Sequence, residues 1–233
     1  MPPAADTAAD YFGSMIASYD SLIRRAVPRY EEMTQRLLEY LPPTAKRVLE
    51  LGCGTGNLSL RLVQKYPHAQ STFVDAAPEM INVTRSRLIE KFPMAAAQAV
   101  FRVKRFEDVS HDDGPFDAIT SCISLHHVKD KLRLYRHLHE ALAAGGTFRF
   151  ADQMAGAPGT HNGEINWNRW VEFCRQPGNC TEEEIQSLVD HAAAHDFYTP
   201  VAEHLQLLEQ AGFVNVDCVW RNWMWGIVTA ERT

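Results

Sequence analysis

Two periods organise the apolar positions of this chain. Tyr19, Leu22, Ile23 and Ala26, then Tyr30, Met33, Leu37 and Leu38, recur every three or four residues, with an interruption at Val27-Pro28. That spacing predicts one or two amphipathic helices between about Asp6 and Leu41. The pattern then shortens to compact apolar runs, Val48-Leu49-Glu50-Leu51 and Ser71-Thr72-Phe73-Val74 among them, each followed by helix-forming sequence. Such alternation specifies a doubly wound parallel α/β sheet, which presents ligands at the carboxyl ends of its strands. From Asp152 to about Thr199 the chain reads as polar, aromatic and loop-rich, and a helix returns from Val201 to Ala211. Gly212-Phe213 leads into a strand from Val214 to Arg221, and Met224 to Ala230 reads as its partner. The expected organisation is one domain over residues 1–233: a helical cap over 1–44, a ligand-binding core over 45–152, an insertion over 153–200, and a helix with a strand pair over 201–233. There are no internal repeats.

The first strand runs directly into Gly52, Gly54 and Gly56. Glycines at a strand-to-helix turn accept dihedrals forbidden to other residues and let a ligand lie against bare main chain. Asp75 follows about 20 residues later, where a nucleotide fold places its ribose-binding carboxylate. The spacing is G-x-G-x-G rather than the dinucleotide G-x-G-x-x-G, and no Gly-Lys-Ser/Thr completes a phosphate loop. Glu50 beside the turn would repel a pyrophosphate but attract an ammonium group. A nucleoside with a cationic amino-acid tail satisfies both ends, and S-adenosylmethionine is such a molecule.

From about Arg47 to Phe150 the chain resembles the class I S-adenosylmethionine-dependent methyltransferases. Glu50-Leu51-Gly52-Cys53-Gly54-Thr55-Gly56 looks like their first motif and Asp75-Ala76-Ala77-Pro78-Glu79-Met80 their second. Gly114 to Ile119 with Ser121 to Val128 is similar to the fourth-strand motif, and Leu142 to Phe148 to the turn entering strand five. The resemblance implies a Rossmann-like, seven-stranded sheet ending in an antiparallel pair. It further implies that Gly52, Cys53 and Gly54 line the methionine portion, Asp75 accepts both ribose hydroxyls, and Ala76 and Met80 flank the adenine. Phe106 would offer its backbone N–H to the adenine, and Cys122 would approach the methionine end through its main chain. Arg105 stands where many relatives carry an acid; arginine cannot accept a hydrogen bond, so either Glu107 takes that role or the contact is lost.

Tyr19 to Tyr30 also resembles a segment of the carboxy-S-adenosylmethionine synthases, which nominates Tyr30 as a cofactor contact or as an anchor of the cap. The synthases grip an extra carboxylate with a late arginine, whose matching position here is Leu207. Leucine has no donor, which favours simple methyl transfer. A carboxy-S-adenosylmethionine synthase-like activity and a non-catalytic S-adenosylmethionine-binding protein are the alternatives.

On the acceptor side His126 is the first candidate base and Asp152 the second, with structural hydrogen bonding as the alternative for each; His127 is expected to face elsewhere. His191 and His195, four apart on a predicted helix, read as a solvated face, and no metal site is indicated. Tyr11, Phe12 and Met15 with Trp167 and Trp170 would enclose the acceptor, near Gln153, His161 and Asn166; Trp220, Trp223 and Trp225 read as packing. With 29 acidic and 23 basic residues, the net charge of −6 disfavours nucleic acid and leaves a small-molecule acceptor. The five cysteines lack C-x-x-C spacing, so free thiols are expected, with Cys174 and Cys180 near enough in sequence to approach each other. No apolar run reaches membrane-spanning length, and the first residues lack the charged start and apolar core of an export signal. A cytoplasmic protein is expected; its oligomeric state stays open, a homodimer being one option.

Overall fold

The computed structural model describes residues 16–156 and 159–233, with side chains from Tyr19 onward. Tyr11, Phe12 and Met15 of the expected enclosure lie outside the described residues. Strands β1 (Arg47–Leu51), β2 (Gln70–Asp75), β3 (Val100–Val103), β4 (Phe116–Cys122), β5 (Leu142–Gln153), β6 (Val214–Asn222) and β7 (Trp225–Glu231) form one sheet in the order β3-β2-β1-β4-β5-β7-β6. The first five are parallel; β7 runs antiparallel to β5, and β6 to β7. The chain steps outward from β1 to β3 and then returns to lay β4 on the other side of β1. That reversal opens a crevice beyond the carboxyl ends of β1 and β4, where an open α/β sheet takes its ligand.

Helices α1 (Ile16–Ala26) and α2 (Tyr30–Tyr40) precede the sheet, and α3 (Asn57–Lys65), α4 (Pro78–Lys91), α5 (Pro93–Gln98) and α6 (Lys131–Ala141) join its strands. Strand residues alternate between two cores, as a period of two requires. Leu49, Leu51, Ile119, Phe148 and Phe150 pack on one side with Tyr135 and Leu138 of α6. Val48, Ala118 and Ala151 face the opposite side, against Leu22, Ala26, Tyr30, Met33 and Leu37 of the cap helices. Glu50 shares the face of Val48, so a carboxylate is carried beneath the cap.

Residues 153–200 depart from the expected loop-rich insertion. They contain α7 (His161–Cys174) and α8 (Glu182–His195), followed by α9 (Val201–Gln210). Thr160 caps α7 by accepting from Gly163 N, and Thr181 with Glu184 forms a reciprocal capping box on α8. Their narrow apolar stripes hide the helical period because both helices bury little beyond one edge: Trp170 and Cys174 on α7, Ile185 and Ala192 on α8. Trp170 Nε1 donates to Ala26 O at 2.9 Å, and Arg25 pairs with both oxygens of Glu184 at 2.6 and 2.8 Å. These contacts clamp the insertion onto the cap. Among the described residues, no helix is long and apolar enough to cross a membrane.

Candidate functional site

Gly52, Gly54 and Gly56 all take left-handed backbone, with φ of 67°, 53° and 90°. At Gly52 the requirement is double, since a Cβ there would stand 2.2 Å from Ser124 Oγ. The turn directs one main-chain N–H at Asp75, Gly54 N lying 2.8 Å from Oδ2, and Ala77 N at the start of α4 donates to Oδ1 at 2.9 Å. Burial raises the Asp75 carboxyl above its ordinary value, and these donors oppose the rise.

Above the turn lies a cavity of about 500 Å³, within the range of roughly 300–1,000 Å³ typical of small-molecule sites. Tyr30, Glu50, Gly52, Cys53, Gly54, Asp75, Ala76, Met80, Arg105, Phe106, Glu107 and Cys122 all line it. Cys53 does so by its main chain, because its side chain belongs to a core with Val63, Phe73, Ile81 and Leu88. Arg105 donates to Glu107 at 2.7 Å, so the carboxylate at that edge already has a cationic partner. Glu50 differs. It is 2% exposed, accepts from Ser59 Oγ at 2.6 Å, and takes part in no ion pair among the described residues. Burial pushes its pKa up to about 8. A buried carboxylate open to a cavity and lacking a cation fits the ammonium end of an amino acid, just as Asp75 fits a pair of hydroxyls. The residues present therefore suit S-adenosylmethionine at both ends.

Asp20 was not singled out by sequence reasoning. It accepts from Thr55 Oγ1, from Asn57 Nδ2 at 2.9 Å and from Arg87 Nη1 at 2.9 Å. It thereby ties α1 to the glycine turn and to α4, holding the cap closed over the cavity. Its position in the resembling segment Tyr19 to Tyr30 was the available signal.

The acceptor side begins at Ile123. This β-branched residue holds φ at 58°, anchored by its N–H to Ala151 O at 2.8 Å. Such a conformation costs on the order of 1–3 kcal/mol and clusters at functional sites. Ile123 borders both the large cavity and a smaller one of about 70 Å³, which His126, Gln153, Trp170, Asp196, Tyr198 and Trp225 help to line. His126 is buried. Its Nδ1 lies 2.5 Å from Asp152 Oδ1, and its backbone N donates to Oδ2 at 3.0 Å. Burial alone would lower the His126 pKa, but the Asp152 and Asp196 carboxylates outweigh it and raise it.

Several histidine assignments change. His127 lines the large cavity rather than facing away, because both histidines sit in a single turn of 3₁₀-helix (Leu125–His127). His191 is buried rather than solvated, its ring against His127, and His195 reaches the large cavity. Asp196, which no sequence signal marked, stands among them. Trp167 packs against Trp170 at a tilt of 59°, while His161 is exposed; neither Trp167, His161 nor Asn166 lines the described cavities. Trp225, read as packing, lines the smaller one. The five cysteines are free.

Comparison with known proteins agrees with this geometry. Residues 48–146 match the family model described as a methyltransferase domain. A ubiquinone biosynthesis O-methyltransferase from Xanthomonas campestris pv. campestris is 38% identical over 102 residues, 43% of this chain and 40% of that protein. A malonyl-[acyl-carrier protein] O-methyltransferase from Magnetococcus marinus is 28% identical over 149 residues, 64% of this chain and 50% of that protein. The matched region thus spans half or less of these relatives. Among solved structures, Haemonchus contortus phosphoethanolamine N-methyltransferase 2 in complex with S-adenosyl-L-methionine superposes with a TM-score of 0.66 at 13% identity, covering 94% of this chain and 57% of that one. That likeness concerns the fold. Residues 48–146 thus match a methyltransferase domain, and the match runs from β1 into β5 and takes in the glycine turn.

Proposed function

We propose that the protein transfers a methyl group from S-adenosylmethionine to a small-molecule acceptor. The observation that carries this reading is one cavity lined by both Glu50 and Asp75, with the strained Ile123 between it and the His126–Asp152 pair. Glu50 would hold the amino-acid ammonium and Asp75 the ribose hydroxyls, while Ala76 and Met80 would flank the adenine and Phe106 would offer it a backbone N–H. Tyr30 and the rest of the cap exclude water from above. When bound, S-adenosylmethionine supplies a methyl already activated by its sulfonium. The protein's main contribution is therefore alignment, worth about 7–11 kcal/mol when the reacting atoms are well oriented. Asp152 holds the His126 Nδ1 proton, which leaves Nε2 as the Lewis base for an acceptor that must lose a proton.

Net charge and the small enclosed acceptor side support a small molecule over nucleic acid. Leu207 packs against the core and brings no carboxylate donor to the cavity, which supports methyl over carboxymethyl chemistry. The free thiols support a reducing compartment, and we place the protein in the cytoplasm. Incubation with methyl-labelled cofactor and a fractionated metabolite extract tests the reading. Label in a small-molecule fraction with stoichiometric S-adenosylhomocysteine is expected. Tight cofactor binding without transfer to any fraction would instead make the protein a non-catalytic binder.

A further inference from the structure

The methyl-transfer reading leaves a cluster of ligating side chains unused. In the wall between the two cavities, Asp196 Oδ1 lies 3.0 Å from His127 Nδ1 and 3.9 Å from His126 Nε2. One ligand atom each from His126, His127 and Asp196 fall within 4.8 Å of one another. Three ligands at about 2.0–2.2 Å from a shared ion could be reached from there by small side-chain rotations. The three side chains are 6%, 15% and 5% exposed, unlike a solvated surface cluster.

We propose that His126 Nε2, His127 Nδ1 and a carboxylate oxygen of Asp196 form a binding site for a divalent transition-metal ion. Two imidazoles and a carboxylate suit Zn²⁺ or Fe²⁺ better than Mg²⁺ or Ca²⁺, which take all-oxygen sets. The outer partners provide an independent argument. Metal-ligating histidines characteristically pass their other ring N–H to a carboxylate, and ligating carboxylates are themselves hydrogen-bonded. Here Asp152 takes His126 Nδ1 at 2.5 Å, and Tyr198 Oη donates to Asp196 Oδ2 at 2.7 Å. His126 and Asp196 are therefore held from behind, with Nε2 and Oδ1 turned toward the same space.

Three protein ligands leave an open position, as in catalytic zinc sites, and His127 brings the set to the large cavity. An oxygen or nitrogen of the acceptor is the group that would fill it, with His126 serving through the ion. That role rests on the methyl-transfer reading; the presence of the ion does not.

The full-length protein, stripped with chelator, is titrated with Co²⁺ by visible absorption and with Zn²⁺ by calorimetry. One equivalent is expected to bind, and His127→Gln and Asp196→Asn should each weaken it at least about 100-fold while S-adenosylmethionine affinity stays within about twofold. Absence of stoichiometric binding to the wild type, or binding indifferent to both substitutions, overturns the proposal. Nitrogen-15 spectra of the wild type need no variant: a shift of the His126 Nε2 and His127 Nδ1 resonances that saturates at one equivalent of Zn²⁺ supports the site, and ring resonances unchanged in excess Zn²⁺ refute it. If the ion fails to bind yet methyl transfer proceeds, His126 is a direct base and the function stands.

Discussion

Replacing Glu50 with glutamine should stabilise the cofactor-free protein increasingly as pH rises. Glu50 is buried, and its pKa moves from 4.5 to about 8 because desolvation penalises the charged form. A carboxyl raised on folding contributes stability fully below its unfolded pKa and loses it as pH climbs through the folded one. At 1.36 kcal/mol per unit, the loss is about 3 kcal/mol at pH 7 and approaches about 5 kcal/mol above pH 9. Glutamine keeps a partner for Ser59 and does not ionise. The stability difference between Glu50→Gln and wild type should therefore grow by about 4 kcal/mol from pH 5 to pH 8.5, or about 8–16 °C in Tm for a chain of this size. Asp75, also raised by burial, contributes with the same sign in both proteins and cancels to first order. Urea unfolding at several pH values measures the difference directly. A difference that stays constant across that range would refute the argument that Glu50 is held as a neutral acid. The same carboxyl must ionise to meet an ammonium, so cofactor binding near pH 7 should release close to one proton, read by calorimetry in buffers of different ionisation enthalpy.

Other perturbations separate the parts of the site. Asp75→Ala should weaken S-adenosylmethionine by about 1.5–3 kcal/mol, roughly 10- to 150-fold, through loss of charge-assisted hydrogen bonds; unchanged affinity in a folded variant would remove Asp75 from the ribose site. Gly52→Ala combines a left-handed φ with a side-chain overlap on Ser124, and should cost on the order of 1–3 kcal/mol in thermal unfolding as well as cofactor affinity. His126→Ala should slow turnover about 10²- to 10⁴-fold with little effect on cofactor affinity; equal loss of both would make the histidine structural. Mass spectrometry should find S-adenosylhomocysteine as by-product and no carboxylated cofactor formed from prephenate.

The cofactor half of the site was legible in the sequence because a local motif sets it. Glycine dihedrals, the apolar strand before them and Asp75 at the end of the next strand are all encoded within a few residues, and parallel register brings them together. On the acceptor side the sequence pointed to His126, Asp152, Gln153 and Trp170 but not to Asp196 or Tyr198, because tertiary packing of distant segments brings those two in. Asp196 follows a helix whose apolar stripe is narrow, and only the docking of α8 beside the Leu125–His127 turn carries it to His126. His127 reaches the large cavity because a 3₁₀ turn displaces successive side chains by about a third of a circle. Helix α7 was hidden by acidic and aromatic residues, and α8 was read only around His191 and His195, although the Thr181 and Glu184 capping pair was present as its start signal. Ile123 gave no sign of its left-handed backbone, since β-branched residues disfavour it.

Calorimetric titration of S-adenosylmethionine into wild type and Asp75→Ala tests the central claim most directly, because every functional assignment depends on the cofactor occupying the cavity over the glycine turn. One cofactor per chain is predicted for the wild type, with the stated 10- to 150-fold weakening in the folded variant. No binding to the wild type, or equal binding to both proteins, would contradict the account.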